Sequence, residues 1–194
     1  RALAIYESKL QHDHPDVASC VDALAAVLRK LKKHEESERC FRRALKIRED
    51  TLGKEHVSVA ASLNNLAVLL ELCEDFGEAE DLFRRAVDIR EKHLNKEHIT
   101  LGPLLNNIGS LLRKQNHQIK AEAAYMRALA IYETHLGVDH PKLVPMLFNL
   151  AMLFDEQGDP TSGLPWIQRA AEICANAPSL PKGHPTTKKV GKLH

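Results

Sequence analysis

Long apolar runs are missing from this chain. None approaches the roughly 18–20 residues that a membrane-spanning helix needs, and none has the pattern of a secretory signal. Aromatic rings are scarce, at 5% of residues, which leaves few surfaces on which nucleic-acid bases can stack. An excess of one sign of charge is missing too. The formal net charge is +1, so no strong field draws the chain to nucleic acid or anionic lipid. The four cysteines (Cys20, Cys40, Cys73, Cys174) form no CxxC pair, so neither a disulfide framework nor a zinc site is expected. They read as reduced, mostly buried thiols. There is no glycine-rich phosphate loop, no HExxH and no GxSxG, and no segment sustains strand-like alternation.

What is present is an ordinary globular composition, 44% hydrophobic and 27% charged, apolar enough for a packed core. It is also periodic. Arg1-Ala2-Leu3-Ala4-Ile5 recurs as Arg43-Ala44-Leu45-Lys46-Ile47, Arg85-Ala86-Val87-Asp88-Ile89, Arg127-Ala128-Leu129-Ala130-Ile131 and Arg169-Ala170-Ala171-Glu172-Ile173, each 42 residues after the last. His14, His56, His98 and His140 keep the same register, as do Leu63-Asn64-Asn65-Leu66-Ala67, Leu105-Asn106-Asn107-Ile108-Gly109 and Leu147-Phe148-Asn149-Leu150-Ala151. The chain opens partway through such a unit, so a longer parent protein is expected.

Each unit reads as two helices. The first starts at the histidine, where Pro15 and Pro141 suit an opening turn. Leu63, Leu66, Ala67 and Leu70 then fall at helical spacing, and Ala79, Leu82, Phe83, Ala86 and Ile89 do so in the second helix. Gly53 and Gly137 fit the left-handed residue that ends many helices. One hairpin cannot bury its own apolar face, so neighbours stack into a quasi-one-dimensional array with a concave and a convex surface. Phe41, Phe83 and Tyr125 are the expected core plugs. The fourth unit departs from the pattern at Gly158-Asp159-Pro160-Thr161-Ser162-Gly163-Leu164-Pro165, where the helix is expected to start late or bend at Pro165.

The series Leu66-Ala67, Leu70, Phe76, Ala79, Phe83, Ala86 resembles the tetratricopeptide motif. Arg43 to His56 followed by Leu63-Asn64-Asn65-Leu66-Ala67 is similar to the longer repeats of kinesin light chains and nephrocystin-type proteins. The resemblance covers about residues 1 to 175. It implies an all-α fold, a right-handed superhelical solenoid of antiparallel helix pairs. The array would occupy 1–177, with a second-helix remnant at 1–11 and hairpins at 14–52, 56–94, 98–136 and 140–177. Residues 178–194 read as a degenerate further repeat or a basic, proline-rich tail. The resemblance also implies a cytoplasmic setting, with cytoskeletal or ciliary assemblies as candidates.

Eleven histidines raise the question of metal or catalysis. The four periodic ones sit at successive hinges, about 10 Å apart by ordinary helix packing, too far to share an ion. They read as caps or loop-bonding residues. No catalytic residue, metal or cofactor is expected. In the tetratricopeptide pattern the first helix of each hairpin lines the concave groove. Carried over, its groove-facing positions here are Asn64, Asn65, Asn106, Asn107 and Asn149, with Asp22, Ala23 and Phe148 breaking the series. An asparagine amide both donates and accepts, which suits the backbone of an extended peptide, and the resemblance to kinesin light chains implies that role. Hydrogen bonding to the neighbouring hairpin is the alternative use. One turn on, the line reads Arg29 and Lys30, Glu71, Arg113 and Lys114, then Asp155 and Glu156. Such alternation points to a ligand of mixed charge or one held by its main chain. The expected function is thus non-enzymatic: a cargo-adaptor or scaffold module holding other proteins or short peptides, with no nucleic acid and no membrane insertion. The alternative is a structural scaffold that works through its convex face, or self-associates through repeat ends lacking a polar cap.

Overall fold

The computed structural model describes residues 14–176. The expected helix remnant at 1–11 and the tail at 178–194 lie outside the described residues. Among the described residues the regular structure is entirely helical. The chain divides after Lys96 into two compact units of two hairpins each. The first unit holds α1 (Pro15–Lys30), α2 (His34–Leu52), α3 (Val57–Leu72) and α4 (Phe76–His93). The second holds α5 (Leu101–Lys114), α6 (Gln118–Leu136), a 3₁₀ turn (Pro141–Leu143) leading into α7 (Val144–Glu156), and α8 (Pro160–Asn176).

Three of the periodic histidines, His14, His56 and His140, are caps, and His98 makes the same bond in the turn just before α5. Each Nδ1 accepts a hydrogen bond from the backbone N–H two residues on, satisfying a donor that the first turn leaves open. The partners are Asp16 at 3.1 Å, Ser58 at 3.2 Å, Thr100 at 3.3 Å and Lys142 at 3.1 Å. The turn inside each hairpin is equally regular. Lys32, Glu74, Asn116 and Gly158 all take positive φ, and the next residue's N–H reaches back five positions in a Schellman arrangement, as from Lys33 to Leu28 O at 3.0 Å. Gly53 and Gly137, which end α2 and α6, combine φ of 87° and 89° with ψ of 151° and 161°. That region is open to glycine alone, not the left-handed helical one expected.

The fourth hairpin corrects one expectation. α8 starts at Pro160, two repeats after the equivalent Phe76, and so does not start late. Asp159 explains it. Its carboxylate accepts from the Ser162 N–H at 3.1 Å and from the Thr161 and Ser162 hydroxyls at 2.5 Å each, while Pro160 at the first position needs no donor. Pro165 lies inside the helix and costs the Thr161 carbonyl its usual partner.

Within the first unit α1 packs on α2, α2 on α3 and α3 on α4; within the second, α5 packs on α6, α6 on α7 and α7 on α8. Small residues bring the paired helices together. Ser37, Ala79, Ala121 and Gly163 are equivalent and all buried, and the Ser37 hydroxyl donates to Ala25 O at 2.8 Å. Phe41, Phe83 and Tyr125 fill the adjoining space, each no more than 1% exposed. The recurring arginine of the second helix has its own task. Arg85 pairs with Glu49 at 2.6 Å and donates to Lys54 O at 3.1 Å; Arg169 repeats this with Glu133 at 2.6 Å and Val138 O at 2.7 Å. Each ties its hairpin to the end of the preceding one within the same unit.

Candidate functional site

The asparagine positions follow from helical spacing on the first helix of each hairpin. Asn64 and Asn65 lie mid-way along α3, Asn106 and Asn107 along α5, and Asn149 along α7, all half-buried between the core row and solvent. In the second unit the structure brings two of them together. Asn149 Nδ2 donates to Asn106 Oδ1 at 2.8 Å, across from α7 to α5. The alternative use, bonding a neighbouring hairpin, is therefore real for this pair. It does not exhaust them: an amide has two donors and two acceptor lone pairs, and one bond leaves both side chains with capacity for a ligand. Asn64 and Asn107 also engage other groups, whereas the Asn65 amide makes no hydrogen bond among the described residues.

The charged line one turn on is partly self-neutralised. Arg113 on α5 pairs with Glu156 on α7, its side chain 18% exposed. The sign change between those hairpins thus places opposite charges side by side. Lys114 is exposed and has interactions of its own. In the first unit Glu71 is buried at 7% exposure and is not free. Arg29, half-buried, and Lys30, exposed, take no carboxylate partner among the described residues.

Asp22, the counterpart of Asn64, is used differently. Arg48 on α2 is buried and donates to the Asp22 carboxylate and to Ser62 Oγ on α3, with Ser19 Oγ at 3.3 Å. Burial pushes the Asp22 carboxyl up, opposed by the hydrogen bond and charge of Arg48. The knot joins three helices of the first unit and closes this position to a ligand. Sequence reasoning missed it. The available signal was Arg48 itself, a charge at the spacing of the buried row Phe41, Ala44.

Burial pushes the Cys40 and Cys174 thiols up, away from thiolate character, and the four cysteines are free. No cluster of three or more metal-ligating side chains occurs among the described residues, and no described helix is long and apolar enough to cross a membrane.

The tetratricopeptide repeat profile matches residues 1–49, 17–92, 59–134 and 102–176. No significant match is found among curated proteins. Among solved structures, BtubC (BKLC) from P. vanneervenii is 24% identical with a TM-score of 0.75, over 92% of this chain and 70% of that one. A putative kinesin light chain with nearly identical repeats from Podosopora anserina is 21% identical with a TM-score of 0.70, over 92% and 84%. The apo form of RapI is 23% identical with a TM-score of 0.75, over 91% and 63%. At these identities the structural likeness speaks for the fold, and the profile, spanning nearly the whole chain in overlapping windows, speaks for the family. The chain belongs to the tetratricopeptide repeat family.

Proposed function

We propose that this chain is a cytoplasmic protein-interaction module without catalytic activity, and that it takes extended peptide along the asparagine-bearing faces of its first helices. The observation that carries the reading is the Asn149–Asn106 bond. It sets two asparagines of successive first helices side by side, each with spare donors and acceptors that peptide groups can use. A cargo-adaptor role is the finer form of the proposal, supported by the likeness to the putative kinesin light chain. With so much of the local charge paired, the main chain of the ligand supplies most of the recognition, and micromolar affinity is the expected scale.

The test is selection from a displayed library of unstructured decapeptides, followed by titration of the winners. Asn65→Ala is expected to weaken a peptide on the first unit by about tenfold, roughly one lost hydrogen-bonding group, while the melting temperature moves little. Asn149→Ala is expected to weaken a peptide on the second unit similarly and to lower the melting temperature slightly as its bond to Asn106 goes. Winners that bind both variants as they bind the parent would end the groove reading.

A second reading, self-association, is favoured by one feature. Leu24 and Val27 on α1, with Leu31 just past its end, form an apolar stripe, 39%, 53% and 63% exposed. Light scattering over a concentration series decides it; a mass that stays monomeric rejects self-association.

A further inference from the structure

The fourth hairpin differs from the others at one core position. Phe41, Phe83 and Tyr125 are equivalent and buried; Ile167 takes their place and is only half-buried. The third hairpin shows what the ring does there. A Cβ built on Gly109 would lie 2.5 Å from Tyr125 Cε1, so the ring presses directly on the backbone of α5. On α7 the equivalent of Gly109 is Ala151, and opposite it Ile167 leaves the ring's space open. The result is a hollow of about 190 Å³ whose lining includes Ala151, Met152, Gly163, Leu164 and Ile167 together with Asp155. Leu164, whose equivalents are Glu38, Glu80 and Glu122, is 52% exposed beside it. Cavities of about 150 Å³ with apolar walls take benzene-sized rings.

The polar side of the hollow is one carboxylate. Glu156 is spent on Arg113, and Asp159 on Ser162 and Thr161. The Asp155 side chain is exposed and its carboxylate makes no hydrogen bond or ion pair among the described residues. We propose that this hollow in the fourth hairpin binds one aromatic side chain of a partner polypeptide, with an adjacent lysine or arginine of that partner meeting Asp155. The partner supplies the ring that the first three hairpins supply for themselves. The site does not require the asparagines to bind peptide.

The experiment uses the intact chain with labelled methyl groups at Met152, Leu164 and Ile167, titrated with acetyl-Trp-Lys-amide and acetyl-Trp-Glu-amide. Saturable shifts of these methyls are expected with the lysine probe, and about two- to fivefold weaker binding with the glutamate probe, the scale of an exposed ion pair. Ile167→Phe restores the ring and is expected to weaken the probe by about tenfold or more without lowering the melting temperature. Should that variant fail to fold, Asp155→Asn decides: tryptophan binding persists and the preference for lysine disappears. The proposal is overturned if the methyls show no saturable shift, if a folded Ile167→Phe titrates like the parent, or if Asp155→Asn keeps the preference. Contacts from Leu180, Val190 or Leu193 to these methyls without any probe would overturn it too, by making the chain's own segment the occupant.

Discussion

At the scale of single residues, the backbone conformation of the intra-hairpin turns is the least expected feature. Three of the four positive-φ positions carry a side chain, namely Lys32, Glu74 and Asn116 at φ 60°, 66° and 62°. A left-handed L-residue costs roughly 1–2 kcal/mol, while glycine adds somewhat under about 1 kcal/mol of unfolded-state entropy. Glu74→Gly is therefore expected to stabilise the chain by about 0.5–1 kcal/mol in urea denaturation, and Gly158→Ala to destabilise it by a similar amount. A loss of stability on Glu74→Gly would refute this account of the turn. The other informative glycine is Gly109, which has a negative φ but no room: its Cβ would sit 2.5 Å and 2.6 Å from two Tyr125 ring carbons. Gly109→Ala is expected to cost about 1–3 kcal/mol through overpacking, and Tyr125→Leu in the same chain to recover part of it. Gly77, with open space around its Cβ, is the control, where alanine is expected to be neutral or stabilising.

Between elements, two ion pairs of different character tie helices of the first unit together. Arg48 to Asp22 and Ser62 is buried, so its desolvation cost is large and removing one partner is worse than never having had the pair. Arg48→Met is expected to destabilise by about 3–5 kcal/mol at neutral pH, measured by denaturation. Because burial raises the Asp22 pKa, its ionised form opposes folding, and this opposition grows as pH rises through the raised value. The deficit of Arg48→Met is thus expected to shrink as pH falls and the carboxyl takes up a proton; a deficit that stays constant would mean Asp22 is not the group left stranded. Arg42 to Glu78 is the exposed counterpart, two oxygens at 2.7 and 2.8 Å joining α2 to α4. Its hydrogen bond from Arg42 lowers the Glu78 pKa. The stabilisation is therefore present at neutral pH and lost as pH falls through that lowered value. Glu78→Gln is expected to cost at most about 0.5 kcal/mol at pH 7, a pair this exposed being well screened, and nothing in strong acid.

For the whole molecule, the 42-residue register made the hairpins, the histidine hinges and the core rings readable, because each is a local pattern repeated in phase. What stayed hidden depends on contacts across helices. The Asp22–Arg48–Ser62 knot joins α1, α2 and α3, and no local spacing relates its members. The Asn106–Asn149 bond is one of two uses open to these side chains, and periodicity alone does not choose between them. Of the two outcomes expected for α8, a late start or a bend, the late start does not occur because Asp159 and Pro160 make a good cap whatever follows. The missing ring at Ile167 shows only when set against Phe41, Phe83 and Tyr125. Charge follows the same logic of local pairing: 27 basic and 26 acidic residues leave +1, and Arg113–Glu156, Arg85–Glu49 and Arg169–Glu133 cancel opposite charges between hairpins. A peptide on the asparagine faces then meets little net field. Raising the salt from about 0.05 to about 0.5 M, which shortens the screening length roughly threefold, is expected to change peptide affinity by less than about threefold. A ligand held by Arg29 and Lys30 would behave otherwise, with affinity falling steeply along the same series, and isothermal titration at both salt concentrations separates the two modes.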